Sequence, residues 1–247
     1  MFLCAITNIF SQTVYELNLK KDFFLGALSL GISITPFFVN NKPDNIPVNL
    51  NKNDINGFDR PLMFSYKKYM DLVSDNSAYA LALLPIIAVI PNIKEKNTLL
   101  TYLVMYSEAL LFTYGTAFTL KNAVIRYRPY MYFDGIHDGK RKDYYKSFPS
   151  GAASFSFLGA SFLSAAFSRE FPESKMKLPV IIGSYSLALT VASLRIASGA
   201  HFLTDVLTSA AISSLYGWLI PSFHLRNNNE KLTIIPAVNG IIFSISI

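Results

Sequence analysis

Six apolar segments in a chain of 247 residues leave it few ways to fold. They run Phe23–Val39, Ala78–Pro91, Thr98–Leu120, Gly151–Phe167, Leu178–Ser198 and Phe202–Phe223. A helix that crosses a bilayer needs about 20 largely apolar residues, with about 17–25 as the range. The third, fifth and sixth segments meet that length. The first and fourth sit at its lower limit, and the second reaches it only if it starts near Asp71. Charged residues are 15% of the chain and hydrophobic residues 51%, against about 25% charged in ordinary soluble domains. The expected fold is therefore an all-α, six-helix transmembrane bundle. The alternative is six buried helices of an unusually apolar soluble domain. Gly159, Ser161, Ser164, Gly183 and Ser209 fall in the last three segments, and small residues let helix backbones approach closely in a membrane. They permit a homodimer without requiring one. Glu108 lies inside the third segment. An acid at that depth is expected to face the bundle interior and find a structural partner.

The body is expected to span 23–225, with an N-terminal segment over 1–22 and a tail over 226–247. Met1–Ser11 is apolar but short and lacks a basic start, so it is not read as a signal peptide. In the tail, Asn239-Gly240 separates two β-prone runs, which predicts a small β-hairpin. The single cysteine, Cys4, closes no intrachain bridge and supports no cysteine-based zinc site. Net charge is +6, and the basic residues concentrate over 121–146. No nucleic-acid motif accompanies them, so nucleic acid is not an expected partner; a phosphate group or an anionic membrane is. Six spans would put both termini on one side and the loops 40–77, 121–150 and 199–201 on the other. The short loops carry Lys94, Lys96, Arg169, Lys175 and Lys177, a weak lean towards the cytoplasm.

Three pieces of sequence at the ends of apolar segments share the long-loop side. The first runs from Lys121 to Arg128-Pro129, the second is Pro149-Ser150-Gly151-Ala152, and the third holds Leu194-Arg195, His201 and Asp205. Lys121 and Arg128 are seven apart, so two helical turns would bring them to one face, with Pro129 ending the helix. Converging cations suit a dianion, and the arginine fork matches phosphate oxygens. Span-end cations also snorkel to the interface. Ser150 is placed to cap the fourth helix, whose first N–H groups, from Gly151 on, favour an anion. His201 and Asp205 are four apart, so a helix would let Asp205 accept a hydrogen bond from one ring nitrogen and leave the other free to attack. A lone pair of this kind is more often structural; three cationic sites on the same side shift the balance to catalysis.

The three pieces resemble the signature of the type-2 phosphatidic acid phosphatase superfamily, which also holds bacterial acid phosphatases and vanadium haloperoxidases. That signature is Lys, six residues, Arg-Pro; then Pro-Ser-Gly-His; then Ser-Arg, five residues, His, three residues, Asp. The likeness covers about 98–223, and Gly57-Phe58-Asp59-Arg60-Pro61 and the hairpin tail also resemble bacterial membrane-associated members. The resemblance implies a phosphatase without metal or other cofactor. Lys121, Arg128 and Arg195 would hold phosphate with Ser150 and the Gly151 amide. His201 would form a phosphohistidine, and Asp205 would orient it. It further implies a lipid phosphate or diphosphate as substrate, and a pocket on the periplasmic face of a bacterial inner membrane. The alternatives are a soluble periplasmic acid phosphatase of the same superfamily and a non-catalytic lipid-phosphate binder.

Two positions depart from the pattern. Leu194 replaces Ser, a minor change beside Ser193, and Ala152 stands where the signature has the histidine that protonates the leaving alcohol. Loss of a general acid typically costs about 10²–10⁴ in rate. The expectation is therefore an impaired, His-to-Ala form of the enzyme. His137 lies in the same loop but has no supporting spacing, and His224 falls on the opposite side.

Overall fold

The computed structural model describes residues 13–47, 50–89, 96–133, 135–136, 143–226, 231–237 and 240–246. Cys4, His137 and Asn239 lie outside them, as do Met1–Ser11. Among the described residues there are six α-helices: α1 Leu19–Ile34, α2 Lys68–Val89, α3 Lys96–Ala123, α4 Gly151–Glu170, α5 Lys177–Ala197 and α6 Leu203–Phe223. Each takes up one of the six apolar segments. The second helix does begin ahead of Asp71 and reaches 22 residues. In the tail, Lys231–Ala237 runs antiparallel to Gly240–Ser246, with Ala237 opposite Gly240.

Helix α4 is the axis of the bundle. It packs against α2, α3, α5 and α6, and 67% of its apolar stretch is buried, against 28% for α5 and 33% for α6. The cause is its run of small side chains. At Gly159 an added Cβ would overlap the Leu81 carbonyl of α2, and at Gly217 of α6 it would come within 2.8 Å of the Phe162 backbone nitrogen. Close approach lets serines reach across. Ser161 donates to the Ser214 carbonyl at 2.7 Å, Ser209 to the Ser150 carbonyl at 2.8 Å, and Ser164 meets Ser184 at 3.0 Å. Such bonds average about 0.6 kcal/mol each in membrane bundles.

The outer faces are apolar. Phe23, Phe24, Leu30 and Ile34 of α1, Ile182, Leu187 and Leu189 of α5, and Leu207, Leu215 and Trp218 of α6 are all exposed. A soluble bundle would show polar residues there. Helices α4, α5 and α6 are long and apolar enough to cross a membrane. Glu108 is buried, with Oε2 3.4 Å from Nε2 of His224, which also lies 3.2 Å from Asp22. The buried acid of α3 thus lies beside His224, at the end of α6 away from the long loops.

If the α2–α4 contact is set by backbone approach, Gly159→Val will lower stability by about 2 kcal/mol or more through overpacking. Gly183→Ala on α5, where a Cβ meets nothing within 4 Å, will leave it unchanged. Thermal denaturation of both variants in detergent checks this.

Candidate active site

The loops on one side of the bundle fold back over the starts of α4 and α6. Helix α3 stops at Ala123, five residues short of Arg128. Beyond it the chain is extended, because the N–H groups of Arg126 and Arg128 are taken by the carbonyls of Tyr145 and Tyr144, both at 2.9 Å. Lys121 and Arg128 therefore do not share a helical face, contrary to the spacing argument. They meet because a loop ladder carries Arg128 back over the helix end. Gly199, at φ +71°, is where three loops cross: its carbonyl accepts from Tyr130 N at 3.1 Å, and a Cβ there would strike the Phe64 and Ser65 carbonyls.

One cavity of about 330 Å³ receives Lys121, Arg128, Gly151, Ala152, Arg195 and His201. Its remaining wall includes Asp75, Tyr79, Phe118, Asp143, Lys146 and Phe155. Lys121 Nζ donates to the Pro149 carbonyl at 2.6 Å and the Lys146 carbonyl at 3.0 Å. An ammonium has three donors, so one remains. Arg128 is buried; Nε and Nη2 hold the Asp143 carbonyl and carboxylate, at 3.0 and 2.7 Å, while Nη1 donates to the Ala200 carbonyl at 2.9 Å. Arg195 is buried too. Its Nη1 lies 2.6 Å from both Asp71 Oδ1 and Asp75 Oδ1, and its Nε has no hydrogen-bond acceptor. Ser150 caps α4, accepting from Ala153 N at 3.4 Å. That sets the N-terminus of α4, with its unpaired N–H groups and positive dipole end, against the cavity at Gly151 and Ala152.

His201 sits in the turn before α6, not on the helix. Its Nδ1 donates to the Ser147 carbonyl at 2.6 Å, and Nε2 lies 3.3 Å from Arg128 Nη1. The Asp205 carboxylate is 3.7 Å from Nδ1. The direct His201–Asp205 hydrogen bond read from the spacing is thus replaced by a backbone one. The reason is that Asp205 is the third residue of α6 and caps it, accepting from Phe202 N at 2.8 Å and from Ser147 Oγ at 2.5 Å. Asp205 reaches the histidine through Ser147, the residue whose carbonyl fixes the ring. Burial, followed by Arg128, Arg195 and Lys121, pushes His201 well below the usual histidine range. The resting imidazole is neutral, with Nε2 as its lone-pair nitrogen.

Beneath the cavity lies a second layer that the motif analysis did not assign. Asp59, from the long loop before α2, is fully buried and accepts from Arg126 Nη2 at 2.6 Å, Thr204 Oγ1 at 2.6 Å, Thr204 N at 2.9 Å and Asn56 Nδ2 at 2.7 Å. Burial alone would raise its carboxyl, but the bonds from Thr204, Asn56 and Arg126 hold it below the usual range. Arg126 also donates to Asp205. No local pattern announces this pairing, since Asp59, Arg126 and Thr204 are far apart in sequence; the only hint was the likeness of Gly57–Pro61 to bacterial members.

The model of the PAP2 superfamily matches residues 98–229, just over half the chain. The chain belongs to the PAP2 superfamily, whose members are generally phosphatases. No curated protein and no solved structure matches it.

Two outcomes follow from the charge layout. Arg126→Leu strands two buried carboxylates and will destabilise by about 3–5 kcal/mol; Asp59→Asn added to it will restore part of the loss, read as unfolding midpoints in detergent. The second concerns pH. An unfolded histidine takes a proton near pH 6.5 at about its ordinary value, and buried His201 refuses it. Stability will therefore fall as pH drops below about 6.5. Burial also lowers His224, so His201→Gln will flatten the fall between pH 7 and 5 without abolishing it. Asp59 contributes only further down, as pH falls through its lowered value.

Proposed function

We propose that this chain is a lipid phosphate phosphatase that works through a phosphohistidine and needs no metal. The observation that carries the reading is the single cavity into which Lys121, Arg128, Arg195, the start of α4 and the neutral His201 converge. A phosphate dianion there would take the free donors of Lys121, Arg195 and Gly151. His201 Nε2 would attack phosphorus, with Nδ1–H held by Ser147 and the resulting positive ring stabilised by Asp205. The fixed cations would stabilise charge on the equatorial oxygens, and water would then release phosphate from nitrogen.

A lipid ester is favoured over a soluble one by the surroundings of the cavity. Tyr79, Phe118 and Phe155 line it, and Tyr114 stacks on Phe118 with ring centroids 4.7 Å apart. The outer faces of the helices are apolar, as lipid contact requires. In this reading all six helices cross the bilayer, and the cavity opens at one interface. By the resemblance of its signature, that face would be the periplasmic side of a bacterial inner membrane. The phosphate site contacts the group common to phosphatidic acid, phosphatidylglycerol phosphate, undecaprenyl diphosphate and lipid A, and the loop before α2 is the place for selection among them.

Ala152 stands where the superfamily signature supplies its acid, so the start of α4 offers no proton donor in this chain. The test is phosphate release from mixed micelles of these four lipids, with no metal added, by the protein and by Ala152→His. Ala152→His will raise turnover, by about 10²–10⁴ where no other group supplies the proton and by less where one does, and the panel will rank the lipids. Tight lipid binding with no release by either form would leave the chain a lipid-phosphate binder.

A further inference from the structure

The cavity contains carboxylates as well as cations, and their placement is uneven. Arg195 is gripped by two acids of α2 one turn apart, Asp71 and Asp75, each at 2.6 Å. Asp71 is enclosed: its side chain is 4% exposed and it also accepts from Tyr66 Oη at 2.9 Å. The Asp75 side chain is 41% exposed and lines the cavity. Asp71 is thus the permanent counter-ion of Arg195, and Asp75 the exchangeable one.

Asp75, Ala78 and Tyr79 present one face of α2 to the cavity. Ala78 belongs to the same packed cluster as Ala152, with Leu81, Leu84 and Val191. Asp75 is three residues, about 4.5 Å along the axis, from Ala78 in the cluster against which residue 152 packs. The other carboxylate of the cavity, Asp143, is bonded to Arg128, which itself touches His201 Nε2. That puts Asp143 on the side of the attacking nitrogen. In an in-line displacement the departing oxygen lies on the opposite side of phosphorus, where the proton is needed.

We propose that Asp75 is the group that protonates the leaving oxygen in this chain, doing from α2 what Ala152 cannot do from α4. The proposal rests on the phosphohistidine reading above. An incoming phosphate dianion draws Arg195 from Asp75 while Asp71 keeps the guanidinium in place. The freed carboxylate takes one proton from solvent as the dianion settles beside it, and returns it when phosphate leaves and Arg195 pairs with Asp75 again. In the first step His201 Nε2 bonds to phosphorus, the ester P–O bond breaks, and the Asp75 proton passes to the leaving oxygen. In the second, a water oxygen attacks phosphorus and its proton passes to the Asp75 carboxylate. The N–P bond then breaks, with its electron pair returning to Nε2. Asp75 is again protonated until inorganic phosphate leaves.

The test compares a short-chain phosphatidic acid, whose alkoxide leaves only with a proton, with 4-nitrophenyl phosphate, whose phenolate leaves readily without one. Asp75→Asn will cut turnover of the first by about 10²–10⁴ and of the second by less than tenfold. Adding Ala152→His to Asp75→Asn will restore the lipid reaction, and Asp75→Glu will retain part of it. Equal losses on both substrates with no rescue would mean that Asp75 only positions Arg195, and would overturn the proposal. So would a selective loss carried by Asp143→Asn or Tyr79→Phe instead. If the unaltered chain turns over neither substrate while Ala152→His turns over both, the phosphatase reading stands and the role of Asp75 falls. If neither form turns over anything, the phosphatase reading fails first and takes this one with it.

Discussion

Two fully buried carboxylates, Asp59 and Asp205, share the guanidinium of Arg126, and the cavity is built on that shared charge. A buried carboxylate without a charged partner is costly, and Arg126 supplies that partner to both acids. Its arrival requires the chain to leave α3 at Ala123 and run extended beside Tyr144–Ser147. The same ladder delivers Arg128 to the cavity and turns the Ser147 carbonyl towards His201. Asp59 brings in the loop before α2, and Asp205 is already fixed as the cap of α6. One ion cluster therefore locks three segments far apart in sequence, in the order the chemistry needs. Replacing such a cluster by apolar residues often costs little stability. Its value here is the positioning of the cavity residues above it.

The helices were legible because span length is a local property. Each apolar run became a helix, and even the conditional start of the second near Asp71 was met. The convergence of the candidate site residues was legible for a different reason: their order and spacing resemble a known signature, and all of them lie on one cavity or directly behind it. The geometry drawn from helical periodicity was not legible. Seven residues between Lys121 and Arg128 do suit two turns, but the N–H groups of Arg126 and Arg128 found acceptors at Tyr145 and Tyr144 instead. Likewise His201 and Asp205 are four apart, yet Phe202 ends the approach and α6 begins at Leu203. In both cases a partner far along the chain decided the backbone. The roles of Asp59, Asp71 and Asp75 depend wholly on such partners, and no window of sequence around them contains the cations they meet.

Convergent cations repel one another, and Lys121, Arg128 and Arg195 share one small cavity. The resting protein offsets this with carboxylates that mimic the ligand: Asp143 on Arg128, and Asp71 with Asp75 on Arg195. On the proposed reading, a phosphate would bind by exchange for the more exposed of these acids. Exchange favours a doubly charged group, since a monoanion would gain little over the carboxylate it displaces. Such a site would select a terminal phosphate monoester over singly charged diester linkages, before any contact with the rest of the substrate.

The same field governs the nucleophile. His201 is buried beside three cations, so its imidazole holds no second proton. Its only fixed acceptor is the Ser147 carbonyl, a neutral dipole. A carboxylate bonded directly to Nδ1 would favour the imidazolium in the resting state and hide the lone pair of Nε2. Setting Asp205 back at 3.7 Å, behind Ser147 and compensated by Arg126, leaves the ring neutral. In the proposed mechanism the ring would become positive only as phosphorus bonds to Nε2, and the nearby acid would act on that state more than on the one that precedes it. Stabilisation timed in this way lowers a barrier; stabilisation of the resting imidazolium would raise it.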